Sequence, residues 1–205
     1  SAADARHPGA CQGGSHAAGG EPPSRAAGCA RGRVVVAGQG ATARVPVVVL
    51  VSAAAEWRVV RETYPASPQS SPFGEWFAVA LGADGARVPT VFLHGGWGKI
   101  AAAASTQYAI DRWSPGLLIN LGTCGGFAGR IARGAVVLAE RTIVYDIVER
   151  MGDPAEAIAA YATVPDLAWL GEPYPAPVQR GTLVSGDADL DPAGVAEVHA
   201  RYGAV

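Results

Sequence analysis

A chain of 205 residues with 49% hydrophobic and 17% charged side chains has the length for one sizeable domain and the composition of a globular one. Its net charge of −2 gives no basic field to attract nucleic acid or an anionic membrane, and no uncharged apolar run reaches the ~20 residues of a membrane-spanning helix. Three cysteines (Cys11, Cys29 and Cys124) form no CxxC pair and no even disulfide framework, so the reducing cytoplasm is the expected compartment.

Residues 1–43 are rich in Ala, Gly, Pro and Arg and have neither helical nor strand period. Segments such as GGSHAAGGEPPSRAAG bury too little apolar surface to offset the entropy of ordering, which predicts a low-complexity, disordered leader. Only 33–37 can pair as a short strand. His7, His16, Cys11 and Cys29 lie here, at a spacing that fits no zinc pattern. A folded domain is expected over 44–205.

The β-branched run VPVVVLVS (45–52) predicts a strand buried on both faces, and AAAEWRVVRETY (53–64) a helix. After a Pro/Ser loop, GEWFAVAL (74–81) and VPTVFLHG (88–95) flank GADGAR as the arms of a hairpin. A helix is expected over 99–113, with Ile100, Ala103, Ala104, Tyr108 and Ile110 for its inward face. Its first residue, Lys99, is the only lysine in the sequence. Ser114-Pro115-Gly116 ends that helix, and LLINLG (117–122) reads as a second buried strand. GAVVLAERTIVYDIV (134–148) is a long strand or a bent pair. PAEAIAAYA (154–162) is a helix capped by Asp153 with Pro154 at its first position. RGTLVSGD (180–187) is a strand, AGVAEVHARYG (193–203) a helix closed by glycine, and Ala204-Val205 read as the start of a further strand. Strands alternating with helices, plus a hairpin, predict an α/β fold with a mixed sheet.

Four polar or glycine-rich corners follow four of these strands. INLGTCGGF (119–127) places backbone N–H groups and a hydroxyl at the carboxyl edge of the sheet, where ligands bind in open α/β folds. It lacks the Gly-Lys-Ser/Thr ending of a phosphate loop, the GxGxxG fingerprint and the Gly-x-Ser-x-Gly elbow. Cys124 is either a nucleophile in need of a base or a small residue in a tight turn. HGGWGK (94–99) is either a cradle of N–H groups for anions and sugar hydroxyls or a turn that needs positive φ. Glu56 is either a helix-start carboxylate or a general base. In VSGD (184–187), Asp187 is a candidate cap for the next helix. Four such corners at one sheet edge make a ligand cleft.

VSAAAEW, HGGWGKIAAA, INLGTCGGFAG and TLVSGD, in this order and spacing, resemble the purine nucleoside phosphorylase and nucleosidase superfamily over 45–205. Within it they look most like 5′-methylthioadenosine/S-adenosylhomocysteine nucleosidases. The resemblance implies a three-layer α/β/α sandwich with a mixed central sheet. It implies hydrolysis of the N-glycosidic bond of a purine nucleoside by water, without metal or cofactor, in a homodimer. Glu56 matches the glutamate that orients and deprotonates the water, Gly98 the turn lining the ribose, and Thr123 the hydroxyl near ribose and nucleophile, with Cys124 and Gly125 beside it. Asp189 and Leu190 match the pair flanking the base, although relatives usually place phenylalanine where Asp189 stands.

Phosphorylases of the superfamily hold phosphate with an arginine three residues before that hydroxyl, and here the position is Asn120. Water is therefore the expected nucleophile. A phosphorylase would need Arg61 or Arg141 as a substitute, and a nucleoside-binding domain without catalysis is the alternative outside enzymes. The family's Met/Trp–Glu motif and a later Ser-Asp should follow the strand that Ala204-Val205 open. The resemblance thus implies a fold incomplete at its C-terminus and an inactive chain over 1–205.

Overall fold

The computed structural model describes residues 46–82 and 86–205. The leader expected over 1–43, with its predicted short strand and with His7, His16, Cys11 and Cys29, lies outside the described residues, as do residues 83–85 of the GADGAR turn.

β1 (Val47–Val51) lies one strand in from the edge of a five-stranded sheet. It pairs in parallel with β4 (Val88–His94) on one side and β5 (Leu117–Asn120) on the other. β3 (Gly74–Leu81) runs antiparallel to β4 as the expected hairpin arm, giving the order β2-β3-β4-β1-β5 and a mixed sheet. β2 (Gln69–Ser71) lies within the predicted Pro/Ser loop. Three residues without apolar alternation carry no strand signal. The Ser71 hydroxyl accepts hydrogen bonds from the N–H groups of Phe73 and Gly74, and the resulting turn folds β2 back onto β3.

The unbroken apolar run of β1 is explained by what covers it. Val48 and Leu50 point to one face, where they pack with Trp76, Val91, Leu93 and Ala109, and with Tyr108 and Trp113 of α2 (Lys99–Trp113). Val49 and Val51 point to the other, against Phe77, Phe92 and Trp57 of α1 (Ala54–Thr63). A sheet buried on both faces has no polar side to alternate with. The result is the expected α/β/α sandwich.

The face that α2 buries differs from expectation. Ser105 and Ala109 are its buried residues, while Ile100 is 88% exposed and Ile110 is 44% exposed. Ala103 and Ala104 are exposed too, and of the five predicted inward residues only Tyr108 packs against the core. A helix start this rich in alanine has little apolar contrast to set its phase. Close backbone approach sets it instead: a Cβ on Gly95 would lie 2.7 Å from the Ser105 hydroxyl. β5 is also less buried than predicted, half-buried over Leu117–Ile119 and exposed at Asn120, because among the described residues it pairs only with β1.

β6 (Val136–Val144) and β7 (Val178–Ser185) form a separate parallel pair with a register shift between Ala139 and Arg141. α3 (Pro154–Ala160) begins as predicted, with Asp153 accepting from the Ala155 N–H at 2.8 Å. α4 (Pro192–Tyr202) ends on Gly203 at φ 64°. Its cap is Asp191, which accepts from the Gly194 N–H at 2.7 Å; the predicted cap, Asp187, is engaged elsewhere. Ala204 continues into a parallel bridge with Thr182. No helix among the described residues is long and apolar enough to cross a membrane.

Candidate active site

The three parallel strands end side by side. Beyond β4, the Gly95 N–H donates to the Val51 carbonyl at 2.9 Å, and beyond β5 the Leu121 N–H donates to the Leu50 carbonyl at 2.9 Å. Both ladders therefore run one step past the strands and hold three of the four predicted corners in a row. His94 adds a contact from β4, its Nε2 lying 3.2 Å from the Ser52 carbonyl and its ring stacked on Trp57.

Glu56 does both things its position allowed. As the third residue of α1 it reaches back with Oε2 to the Ala53 N–H at 3.2 Å, which is half of a capping box; alanine has no oxygen to return. Its other oxygen, Oε1, accepts from the Thr123 N–H at 2.5 Å and from the Thr123 hydroxyl at 2.6 Å. Partial burial pushes the carboxyl pKa up, but the Thr123 hydroxyl and N–H and the Ala53 N–H together outweigh it and hold it below the ordinary value. The group is an anion at neutral pH, half-buried at the edge of the sheet.

Gly122 makes this pairing possible. A Cβ there would lie 3.1 Å and 3.2 Å from the two carboxylate oxygens of Glu56. Gly122→Ala is expected to shift the carboxylate by a few tenths of an ångström and loosen its bonds to Thr123, with the melting temperature little changed. A crystal structure of the variant beside a thermal melt checks this, and an unmoved carboxylate would show that it has room to spare.

Among the described residues, none of the other predicted residues is hydrogen-bonded to this pair. Gly98 caps α2 at φ 90° without a side chain. Cys124 is an exposed free thiol, and neither described histidine serves it as a base: His94 engages the Ser52 carbonyl and His199 the Ala204 carbonyl. Gly125 has open space around it. Asp189 is exposed and Leu190 half-buried in the loop between β7 and α4, and among the described residues no hydrogen bond joins them to Glu56 or Thr123.

Two residues that the sequence reading did not single out form a further polar corner. Asp146, just past β6, accepts from Lys99 Nζ at 2.7 Å through Oδ1 and from the Asp187 N–H at 2.7 Å through Oδ2. Burial pushes its pKa up, but the Lys99 ammonium and the Asp187 N–H bring it below the ordinary value. Tyr145, beside it, donates its hydroxyl to the Ala188 carbonyl. The signal was a fifth polar corner, Tyr145-Asp146 at the end of a strand, hidden in a run that reads as continuous strand. Among the described residues no group of three or more His, Cys, Asp and Glu is placed to hold a metal ion.

Comparison with known proteins agrees with this architecture. The family model of the phosphorylase superfamily matches residues 46–198. A 5′-methylthioadenosine/S-adenosylhomocysteine nucleosidase from Bacillus subtilis is 32% identical over 123 residues, 55% of this chain and 53% of the relative. One from Anoxybacillus flavithermus is 32% identical over 130 residues, 58% of this chain and 55% of the relative. The chain thus spans about half the length of the relatives it matches. Among solved structures, the same nucleosidase from Neisseria meningitidis, in complex with methylthio-immucillin-A, superposes with a TM-score of 0.58 at 25% identity, covering 78% of this chain and 73% of that one. A futalosine hydrolase mutant from Helicobacter pylori shares the fold at a TM-score of 0.57 and 12% identity, covering 78% of this chain and 76% of that one.

Proposed function

We propose, since this chain belongs to the phosphorylase superfamily, that its protein hydrolyses the N-glycosidic bond of a purine nucleoside, with Glu56 and Thr123 holding the attacking water. The observation that carries this reading is the Glu56–Thr123 pair, an ionised carboxylate bound to a hydroxyl across the edge of the sheet. As the bond between sugar and purine breaks, its electron pair leaves with the base, which takes up a proton, and positive charge develops on the ribose. A carboxylate beside that carbon stabilises the charge and accepts a proton from the water that adds there. Gly98, Cys124 and Gly125 line the sugar side in this reading, and Asp189 and Leu190 the base side.

Asn120 supports water over phosphate as the nucleophile, since a neutral amide offers no guanidinium fork to an anion. Neither substitute favours phosphate. Arg61 lies in the last turn of α1, with its guanidinium over Phe77 and donating to the Ala66 carbonyl, whereas Glu56 is in the first turn. Arg141 sits on β6, in the second sheet. The names of the relatives make 5′-methylthioadenosine and S-adenosylhomocysteine the first substrates to try. A homodimer in the cytoplasm belongs to the same reading; the exposed side chains of Trp97, Ile100 and Met151 and the free thiol of Cys124 are compatible with it.

The test is product identity, with the whole protein incubated with each nucleoside with and without phosphate and analysed by chromatography. Free purine and free sugar, at a rate indifferent to phosphate, are expected. A sugar 1-phosphate would assign the protein to phosphorolysis. Tight binding of every nucleoside with no turnover would make it a binding module.

A further inference from the structure

The loop between β7 and α4 is fastened at its start by side chains from two other elements. Tyr145 donates its N–H to the Ser185 carbonyl at 3.1 Å and its hydroxyl to the Ala188 carbonyl at 3.1 Å. A Cβ on Gly186 would lie 2.6 Å from the Tyr145 ring, so only glycine lets the loop pass this close. Asp146 takes the Asp187 N–H. Lys99 then reaches across from the first residue of α2, with Nζ 2.7 Å from Asp146 Oδ1 and 3.1 Å from Asp187 Oδ2.

Those two ion pairs join the corner of the five-stranded sheet to the corner of the two-stranded one. We propose that Lys99 is a positioning residue that fixes the β7–α4 loop against the N-terminus of α2, and so sets where the purine lies relative to Glu56 and Thr123. The proposal rests on the nucleosidase reading above. Its physical basis is the placing of two carboxylates around a single ammonium. Without the cation, Asp146 and Asp187 face each other as like charges and push the loop away from β6. Asp189 and Leu190 belong to this loop and would move with it. The Glu56–Thr123 pair belongs to α1 and the β5 corner and would keep its geometry. Loss of Lys99 should therefore weaken substrate binding far more than it slows the chemical step.

Lys99→Met, Lys99→Arg and the wild-type whole protein are compared in two ways. In steady-state kinetics, Lys99→Met is expected to raise KM about tenfold or more while kcat falls less than about threefold. Lys99→Arg, whose fork can bridge both carboxylates, should return KM to within about threefold of wild type. In hydrogen exchange, the amides of 186–190 should exchange roughly tenfold faster in Lys99→Met, with those of β1 unchanged. Equal exchange in wild type and Lys99→Met overturns the proposal. So does a loss confined to kcat, or an Arg variant no better than Met. If Lys99→Met does not fold, Asp187→Asn, at a side chain 69% exposed, takes its place in both measurements with the same expected direction. If the wild type cleaves no purine nucleoside, the proposed function falls, while the exchange comparison still decides whether Lys99 holds the loop.

Discussion

Glu56→Gln is expected to lower kcat by about 10²–10⁴-fold while leaving KM within a few-fold, because the amide keeps the shape of the carboxylate but accepts no proton. The substitution is nearly isosteric, yet it disturbs the hydrogen bonds at both ends of the side chain. Oε2 now faces the Ala53 N–H, and Oε1 faces the N–H and hydroxyl of Thr123. An amide has one accepting end, so its NH₂ must meet either Ala53 or Thr123 donor to donor. The cost to the fold should be about 1 kcal/mol, the scale of a partly exposed cap. Kinetics and urea denaturation of the same preparation separate the two effects. A Gln variant within tenfold of wild-type kcat would remove Glu56 from the chemistry.

The pH dependence of Glu56 has a definite sign. Its folded-state pKa lies below the ordinary carboxylate value, so its contribution to stability is present above the unfolded value and is lost as pH falls through the folded one. Activity that needs the anion follows the same direction, with the acid limb in kcat/KM displaced to lower pH than an ordinary glutamate would give. That limb should be missing from whatever activity Glu56→Gln retains.

The largest expected loss of stability is at Phe77→Ala, about 3–5 kcal/mol by chemical denaturation. Phe77 is 1% exposed and lies under α1. Its ring stacks on Phe92 at 5.3 Å, meets Trp57 at 5.5 Å and carries the Arg61 guanidinium at 5.4 Å. A hole here cannot close, because β3 is fixed by its ladder to β4 and α1 by its direct connection to β1. Such a loss is a large part of the ~5–15 kcal/mol total of a typical domain. The layer above the hole carries Glu56, so the folded fraction should also turn over more slowly than wild type. Phe77→Leu, which refills most of the volume, should lose no more than about 1.5 kcal/mol. If Phe77→Ala loses less than about 1 kcal/mol, α1 is not packed on this face as described.

Much of this was legible in the sequence because local and long-range demands agreed. β1 needs apolar residues on both faces, and VVVLV supplies nothing else. Asp153-Pro154 states the start of a helix in its own chemistry, and Gly203 the end of another. What was illegible depended on partners distant in the chain. Asp187 has the credentials of a cap four residues before the residue that does the capping, and only the arrival of Lys99 and Asp146 assigns it differently. The phase of α2 was set by Gly95 pressing on Ser105, and a helix start of five small residues gave no sign of it. In the candidate site, the type and place of Glu56 and Thr123 could be read. That one carboxylate oxygen takes two bonds from Thr123, with Gly122 making the room, could not.

Lys99 also makes the protein convenient to interrogate chemically. It is the only side-chain amine in these 205 residues, and it sits on the seam between the two sheets. The bond from Asp146 raises its pKa most, Asp187 adds to this, and partial desolvation opposes it. Acylating reagents attack the neutral amine, so the closed seam slows reaction at Lys99, and each opening that parts it from its carboxylates raises the share of neutral amine. The rate of acylation at this one position becomes a clock for how often the seam opens, read by mass without any added label.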